Sequence, residues 1–332
     1  AMVVAALTLR AAWTSPQPST ALPPPHGTPR SSRDGFEPGH PAPRDRRHGG
    51  RLSALPWAGS RKVAVLWVDG MFDPINGPLL GFALGNALGL LPATWRIEVH
   101  TQGPLPPPLP ARFADAVSSG RLIHRVLGPG PKGGPVRYYL RGKAWAFTDP
   151  EWWALVDADH VLMLHQTAVL CSGAARSVDD FVGFDFVGAP WQWAKPGSPY
   201  VAGGNGVLSI RRKAAMLRVL AAHRPTGTDG RPSLPSTNED MYFVRTMHEM
   251  GGFNVSAPEV GKQFSVEEMP FDAPIGVSYA MRTVPNAERD KILHNCPEAR
   301  ALVGYLPGAD WIGNRKQGEQ CTAKKDRPDP PC

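Results

Sequence analysis

Val63-Ala64-Val65-Leu66-Trp67-Val68 is an unbroken apolar run behind basic residues. A run of this length reads as a central strand covered on both faces. Asp69-Gly70 ends it. Gly77, Gly81, Gly85 and Gly89 then recur every fourth residue. Wound as a helix they form a smooth stripe, which predicts close packing on a neighbour, since isolated glycines otherwise cost helix stability. Trp95-Arg96-Ile97-Glu98-Val99-His100 alternates and predicts a half-exposed strand. Residues 112–119 predict a short helix and 122–127 a strand. Val136, Tyr139, Leu140, Ala144 and Phe147 keep helical spacing, with Arg137, Arg141 and Lys143 off that face. His160 to Gln166 is the second central strand. The alternation of strands and helices argues an α/β fold with a largely parallel sheet.

Past residue 166 the pattern loosens. Ser177-Val178-Asp179-Asp180 predicts a helix start with a capping box. Short strands are expected at 184–187 and 207–210, and a helix at 213–222. Another opens at Ser236-Thr237-Asn238-Glu239-Asp240 and ends at Gly251-Gly252. A last helix is expected within 287–303.

Composition changes this picture mainly at the ends. The chain has 332 residues, 37 of them proline and 35 glycine, with a formal charge of +7. Residues 1–60 hold 10 prolines and 7 arginines against 3 acids, and predict a disordered Pro/Arg-rich leader. The folded domain is expected over 61–310 and a polar tail over 311–332. Because so much of the charge belongs to the leader, no nucleic acid is expected as a partner. The apolar start, Ala1 to Trp13, is too short to span a bilayer. It reads as the remnant of a signal peptide or anchor, or as a disordered end. One sequon, Asn254-Val255-Ser256, matters only if the chain enters the secretory path or Golgi lumen. The four cysteines form no CxxC pair. Cys321 and Cys332 are close enough in sequence to close a short loop.

There is no Walker loop, Gly-x-Ser-x-Gly elbow, His-Glu-x-x-His helix or dinucleotide fingerprint. Asp157-Ala158-Asp159 is a candidate pair of metal ligands, or a solvated helix-to-strand turn. It precedes its strand, whereas an open α/β sheet presents ligands at the carboxyl ends. That end reads His165-Gln166-Thr167-Ala168. Further along come Phe184-Asp185-Phe186-Val187-Gly188-Ala189-Pro190-Trp191, Gly203-Gly204-Asn205-Gly206-Val207, Asn238-Glu239-Asp240-Met241-Tyr242-Phe243, Phe264-Ser265-Val266-Glu267 and Pro274-Ile275-Gly276-Val277.

As an ordered set, these motifs over about 62–280 resemble the domain-of-unknown-function (DUF) 5672 family, of the GT-A-like glycosyltransferase type, which implies an α/β fold with a mixed, mainly parallel sheet flanked by helices. The resemblance implies a nucleotide-sugar donor and a glycan, protein or lipid hydroxyl as acceptor. It implies an acceptor-side carboxylate at Glu239 or Asp240. Asp240 is the first choice, because Glu239 is the partner Ser236 would take in a capping box, and the helix N-terminus would keep Asp240 ionised. Substrate contacts are implied at Asp69, Gln166, Thr167, Asn205, Gly206 and Trp191, with Trp193 beside it. Arg141, with Arg137 one turn away, suits a diphosphate. Manganese or magnesium is the cofactor such a fold implies. Family members read Gln-Thr-Asp where this chain has Gln166-Thr167-Ala168, so the expected acid is missing and metal dependence is expected to be weak. The rival reading is a sugar- or nucleotide-binding protein that kept the fold without the chemistry.

Overall fold

The computed structural model describes residues 57, 59–68, 76–101, 109, 111–127, 142–225, 238–281 and 283–305. Apart from Trp57, Gly59 and Ser60, the expected leader lies outside these residues, and so does the expected tail.

The described elements run β1 (Lys62–Trp67), α1 (Asn76–Leu90), β2 (Arg96–Thr101), α2 (Ala114–Ser118), β3 (Leu122–Val126), α3 (Gly142–Phe147), α4 (Pro150–Leu155), β4 (His160–His165), β5 (Ala168–Leu170), β6 (Phe186–Ala189), β7 (Asn205–Arg212), α5 (Lys213–His223), α6 (Glu239–Met250), α7 (Pro258–Phe264), β8 (Ser265–Val266), β9 (Gly276–Ser278), α8 (Asn286–Asn295) and α9 (Ala299–Tyr305). The main sheet has the order β3-β2-β1-β4-β7-β6. Its first four strands are parallel, and β7 runs antiparallel to both β4 and β6. A second sheet, β5-β9-β8, follows directly from the end of β4. The mixed, mainly parallel sheet flanked by helices is the fold class expected from the sequence.

Alternate residues of a strand face opposite sides, so a strand covered twice must be apolar throughout. Ala64, Leu66, Ile97, Leu162 and Leu164 pack with Leu80, Ala83, Leu84 and Ala87 of α1. Val63, Val65, Trp67, Val161 and Met163 pack on the other face with Trp152 and Trp153 of α4, Met216 of α5 and Phe243 of α6. A third cluster joins β5, β8 and β9 to α8 and α9 through Val169, Val266, Val277, Ile292 and Leu302. No helix among the described residues is long and apolar enough to cross a membrane.

Several local expectations are corrected. The glycine stripe of α1 is not its packing face. A Cβ at Gly85 or Gly89 would meet nothing within 4 Å, and at Gly81 only the Arg112 guanidinium. The buried side of α1 also carries Asn86, whose amide donates to Leu170 O at 2.9 Å and accepts from Leu170 N at 2.8 Å. It pairs with β5 as another strand would. β2 is buried on both faces, because Glu98 and His100 are both fully enclosed. The Ser177 capping box is present, on a single 3-10 turn. Cys171 and Cys296 form a disulfide, a pairing the spacing did not suggest; Cys321 and Cys332 lie outside the described residues. Of the helix expected from Val136, only Gly142–Phe147 falls within them.

Candidate functional site

The chain leaves β1 toward β2 on one side and returns to β4 on the other, so the sheet order reverses between β1 and β4. That reversal opens a crevice at the carboxyl edge, where α/β sheets take their ligands. Trp67 and His165, the last residues of the two strands, are register partners there. A small cleft at this point is lined by Trp67, Phe147, Met163, His165, Gly206 and Glu239.

β7 starts at the same edge, because it runs antiparallel to β4. Its first residues meet the N-terminus of α6. Gly206 N–H donates to Asp240 Oδ2 at 2.8 Å, and Met241 N–H donates to Asp240 Oδ1 at 2.7 Å. Glu239 Oε1 accepts from Arg211 Nη2 at 3.0 Å. Arg211 is fully buried, over the rings of Phe147, Phe186 and Phe243 at 5.1–5.9 Å. Its Nε donates to Ser209 Oγ at 3.1 Å, and Ser209 Oγ donates to Gly206 O at 3.0 Å. A buried guanidinium is tolerated only when paired and hydrogen-bonded, and Glu239 supplies the charge.

Only glycine fits at 206. A Cβ there would lie 2.3 Å from Arg211 Nη2 and 3.1 Å from Glu239 Oε1. Gly204 is constrained differently, by φ +116° and by Ala189 O, 2.2 Å from where its Cβ would stand.

Burial, and then the neighbouring Glu239 charge, push the Asp240 carboxyl up to about 6, against the pull of the Gly206 and Met241 amides and of Arg211. Desolvation outweighs the amide bonds, so the helix N-terminus does not hold the Asp240 pKa down, although a carboxyl at about 6 is still mostly ionised at neutral pH. The expected capping box of Glu239 involves Ser236, which lies outside the described residues. Asn238 is the N-cap residue and makes no side-chain cap bond, and Glu239 Oε1 is held by Arg211. Of the two acids, Glu239 lines the cleft, while Asp240 sits behind Gly206.

His165 is the functional candidate that sequence reasoning passed over. Thr167 N–H lies 3.3 Å from His165 Nδ1, and Thr167 Oγ1 lies 2.8 Å from the same nitrogen. A backbone N–H can only donate, so Nδ1 is an acceptor and the neutral ring carries its proton on Nε2. Tyr279 borders this corner. Its N–H donates to Thr167 O at 3.0 Å, its ring tilts against His165 at 6.5 Å, and its backbone is held at φ +47°.

The other expected residues are distributed as follows. Gln166 is buried, and its Nε2 has no acceptor among the described residues. Thr167 is buried beside it. Asn205 uses its Oδ1 to accept from Val207 N at 2.8 Å. Trp191 is 8% exposed and forms an aromatic triangle with Trp193 and Tyr200, with centroids 5.5–6.0 Å apart. Asp157 and Asp159 stand at the amino end of β4, the edge away from the cleft, where Arg61 bonds them at 2.7 and 2.8 Å. Asp69, Arg137 and Arg141 lie outside the described residues. Arg211 and Trp67 were also missed. Their signal was a cation inside an apolar strand and a tryptophan closing another.

Ala168, at the position where the family resemblance leads to an expected acid, is fully buried and in register with Ser278 of β9. Among the described residues no three histidine, cysteine or acidic side chains are grouped to hold a metal. Among the described residues, the side chains at the end of β4 do not make up a ligand set for a divalent cation.

No curated protein matches the chain. Two crystal structures of the glycosyltransferase GlyE from Streptococcus pneumoniae TIGR4 are similar to it at 10% identity. The TM-score is 0.40 for the apo form and 0.42 for the other. Each comparison covers 76% of this chain, which spans 62% of the GlyE chain. Residues 143–277 match the model of the family described as protein of unknown function (DUF5672), the family the ordered motifs resemble.

Proposed function

We propose that this protein transfers a sugar from a nucleotide-sugar donor to a hydroxyl of a glycan, protein or lipid, on a GT-A-like scaffold. The observation that carries the reading is the carboxylate pair Glu239–Asp240, set beside a cleft at the point where the sheet order reverses. In the transfer step the acceptor oxygen forms a bond to the anomeric carbon. The carbon–oxygen bond to the diphosphate breaks, and the diphosphate leaves with the electron pair. The acceptor proton passes to a carboxylate. Glu239 is the member in position to take it, since it lines the cleft. Asp240 holds the start of β7 against α6 and places its charge behind Glu239. Arg211 fixes the Glu239 rotamer. Asn205 and Trp191 belong to the acceptor side in this scheme, and Gln166 and Thr167 to the donor side.

A screen of nucleotide-sugar hydrolysis, with and without manganese, tests it. One donor is expected to turn over, with little or no manganese stimulation. Glu239→Gln is expected to lower turnover by roughly a hundred- to ten-thousandfold, the usual cost of losing an acid–base group. Full turnover in that variant would remove Glu239 as the base and return the role to Asp240. The second reading, binding of a sugar or nucleotide without transfer, is favoured by Ala168 alone. Ligand binding without turnover of any donor would establish it.

A further inference from the structure

We infer that Asn254 is an N-glycosylation site, which receives an oligosaccharide from a lipid-linked diphosphate donor as the chain enters an oxidising secretory compartment. The inference is independent of the sugar-transfer reading. Three observations carry it: a structural disulfide, an exposed asparagine in a three-residue signal, and a hydrogen bond that the modification leaves intact.

The disulfide indicates the compartment. Cys171 and Cys296 are both buried and are bonded across 125 residues of sequence. They lie in the apolar cluster of the small sheet, with Val169, Val277 and Ile292. The chain has no CxxC pair of the kind that redox catalysts use, so this bond is a structural cross-link. Such bonds form and persist where the surroundings oxidise thiols, and they are rare in a reducing cytosol. The same secretory route is the condition under which an Asn-x-Ser signal is read.

Asn254-Val255-Ser256 lies between the Gly251 stop of α6 and the start of α7 at Pro258. Its middle residue is valine, not the proline that abolishes the signal. The segment runs along the outer side of β6, the last strand of the main sheet. Asp185 N–H donates to Asn254 O at 2.8 Å, Ser256 N–H donates to Phe186 O at 3.0 Å, and Val255 is bridged to Phe186. Asn254 N–H donates to Asp185 Oδ2 at 2.8 Å. The backbone is held, while the Asn254 side chain is exposed. Gly183 and Gly252 beside it are exposed too, so no bulky side chain of theirs crowds the linkage. Asn254 Nδ2 donates to Gly183 O at 3.0 Å. A side-chain amide nitrogen carries two hydrogens, and a glycan replaces only one of them. The remaining hydrogen keeps the bond to Gly183.

In the modification step the Asn254 amide nitrogen forms a bond to the anomeric carbon of the donor. The carbon–oxygen bond to the lipid diphosphate breaks, the diphosphate leaves with the electron pair, and the nitrogen gives up one proton to a base of the transferase. Ser256 belongs to the signal, yet in the folded protein it is buried, with its hydroxyl donating to Gly203 O at 3.4 Å. Modification therefore precedes folding, and the finished fold encloses the serine while leaving the asparagine in solvent. The site is remote from the cleft. Asp185, which holds Asn254, accepts through its backbone oxygen from Arg212 N–H, and Arg212 is in register with His160 at the amino end of β4. A glycan at Asn254 stands at that edge, whereas Glu239 and Gly206 line the cleft at the carboxyl edge.

The test uses the full chain, expressed behind a cleavable secretion signal in a eukaryotic host, and the same protein recovered from the cells that make it. The secreted chain is expected to run as one band above its sequence mass and to fall to that mass on digestion with a peptide N-glycosidase. Asn254→Gln and Ser256→Ala are each expected to abolish the shift. The second variant keeps the asparagine and removes only the signal. Because modification precedes folding, the mass of the intracellular chain carries the test even where a variant fails to fold. In the protein from its own cells, glycosidase digestion in heavy-oxygen water is expected to leave an isotope-labelled carboxylate at position 254, read by peptide mass spectrometry. The inference is overturned by a secreted chain of unmodified mass, by a shift that survives Asn254→Gln, or by an unlabelled Asn254 in the protein from its own cells. Cys171 and Cys296 recovered there as free thiols would remove the compartment and overturn it too. A glycan at Asn254 with no turnover of any donor leaves the inference standing and removes only sugar transfer; turnover by a chain that carries no glycan does the reverse.

Discussion

Gly206 is surrounded by the groups it must keep apart. A methyl group at 206 would overlap the Arg211 guanidinium and press on Glu239 and Asp240, and the rigid start of β7 leaves it no direction to escape. Gly206→Ala is expected to cost about 1–3 kcal/mol of stability, the usual range for overpacking. It should cost far more in turnover, because it parts Arg211 from Glu239. Chemical denaturation and an activity assay on the same preparation separate the two effects. Asp240 gives a prediction with a sign. Its folded pKa, about 6, is raised above the ordinary carboxylate value. Stability from its protonated form is fully present below the ordinary value and is lost as pH rises through about 6. Asp240→Asn removes that dependence. Its stability relative to the parent should therefore improve steadily between pH 4 and 7, as read from denaturation midpoints; a constant difference across that range would contradict the raised value. The sequence put both acids at the first turn of a helix, which is correct. It could not show their partners, because Arg211 and Gly206 lie 28 and 34 residues away along the chain.

β2 shows how an alternating pattern can mislead at the scale of an element. Arg96, Glu98 and His100 look like an exposed face, yet Glu98 and His100 are enclosed. The strand can be buried because its polar groups satisfy one another. Arg125 on β3 donates to Glu98 from Nε at 2.5 Å and from Nη2 at 2.8 Å. His100 Nε2 pairs with Glu98 at 2.9 Å, and His100 Nδ1 accepts from Trp152 Nε1 at 3.2 Å. Burial alone would raise the Glu98 pKa, but the hydrogen bonds from His100 and Arg125 overcome it and lower it to about 2. Burial lowers the His100 pKa. Both shifts act in one direction, since the unfolded chain binds protons that the folded one resists. Stability should fall as pH drops below the ordinary histidine value, and again as pH falls through the carboxylate range toward 2. The Glu98 part is worth about 3 kcal/mol at neutral pH. Glu98→Gln should lose stability at pH 7 and show a flatter acid limb, measured by urea denaturation from pH 3 to 7. Equal acid sensitivity in parent and variant would place the charge network elsewhere. By contrast, β1 and β4 were legible from sequence because they are apolar on both faces and need no partner to explain their burial.

At the scale of the molecule, the main sheet and the β5-β9-β8 sheet are joined by chain and core, and one covalent bond ties the small sheet to α8. β5 leaves the end of β4 directly, so the small sheet adjoins the edge that holds Trp67, His165 and Glu239. Asn86 ties α1 to Leu170 on that sheet. Cys171, just past β5, is bonded to Cys296, just past α8, across 125 residues of sequence. The strand–helix order that set the fold class was readable in the sequence. The disulfide was not, because pairing depends on α8 packing against the small sheet rather than on cysteine spacing. A cross-link that closes so long a loop restricts the unfolded chain strongly, and loss of such a bond typically costs about 2–5 kcal/mol. Cys171→Ser with Cys296→Ser should therefore melt several degrees below the parent. Dithiothreitol should lower the parent toward the double variant and leave the double variant unmoved. Because the bond closes the small sheet rather than the cleft, Glu239 and His165 keep their partners in the reduced protein. Donor turnover, measured well below the melting temperature, is then expected to persist after reduction. A loss of turnover that tracks reduction, without unfolding, would instead show that the small sheet sets the shape of the cleft through Thr167 and Tyr279.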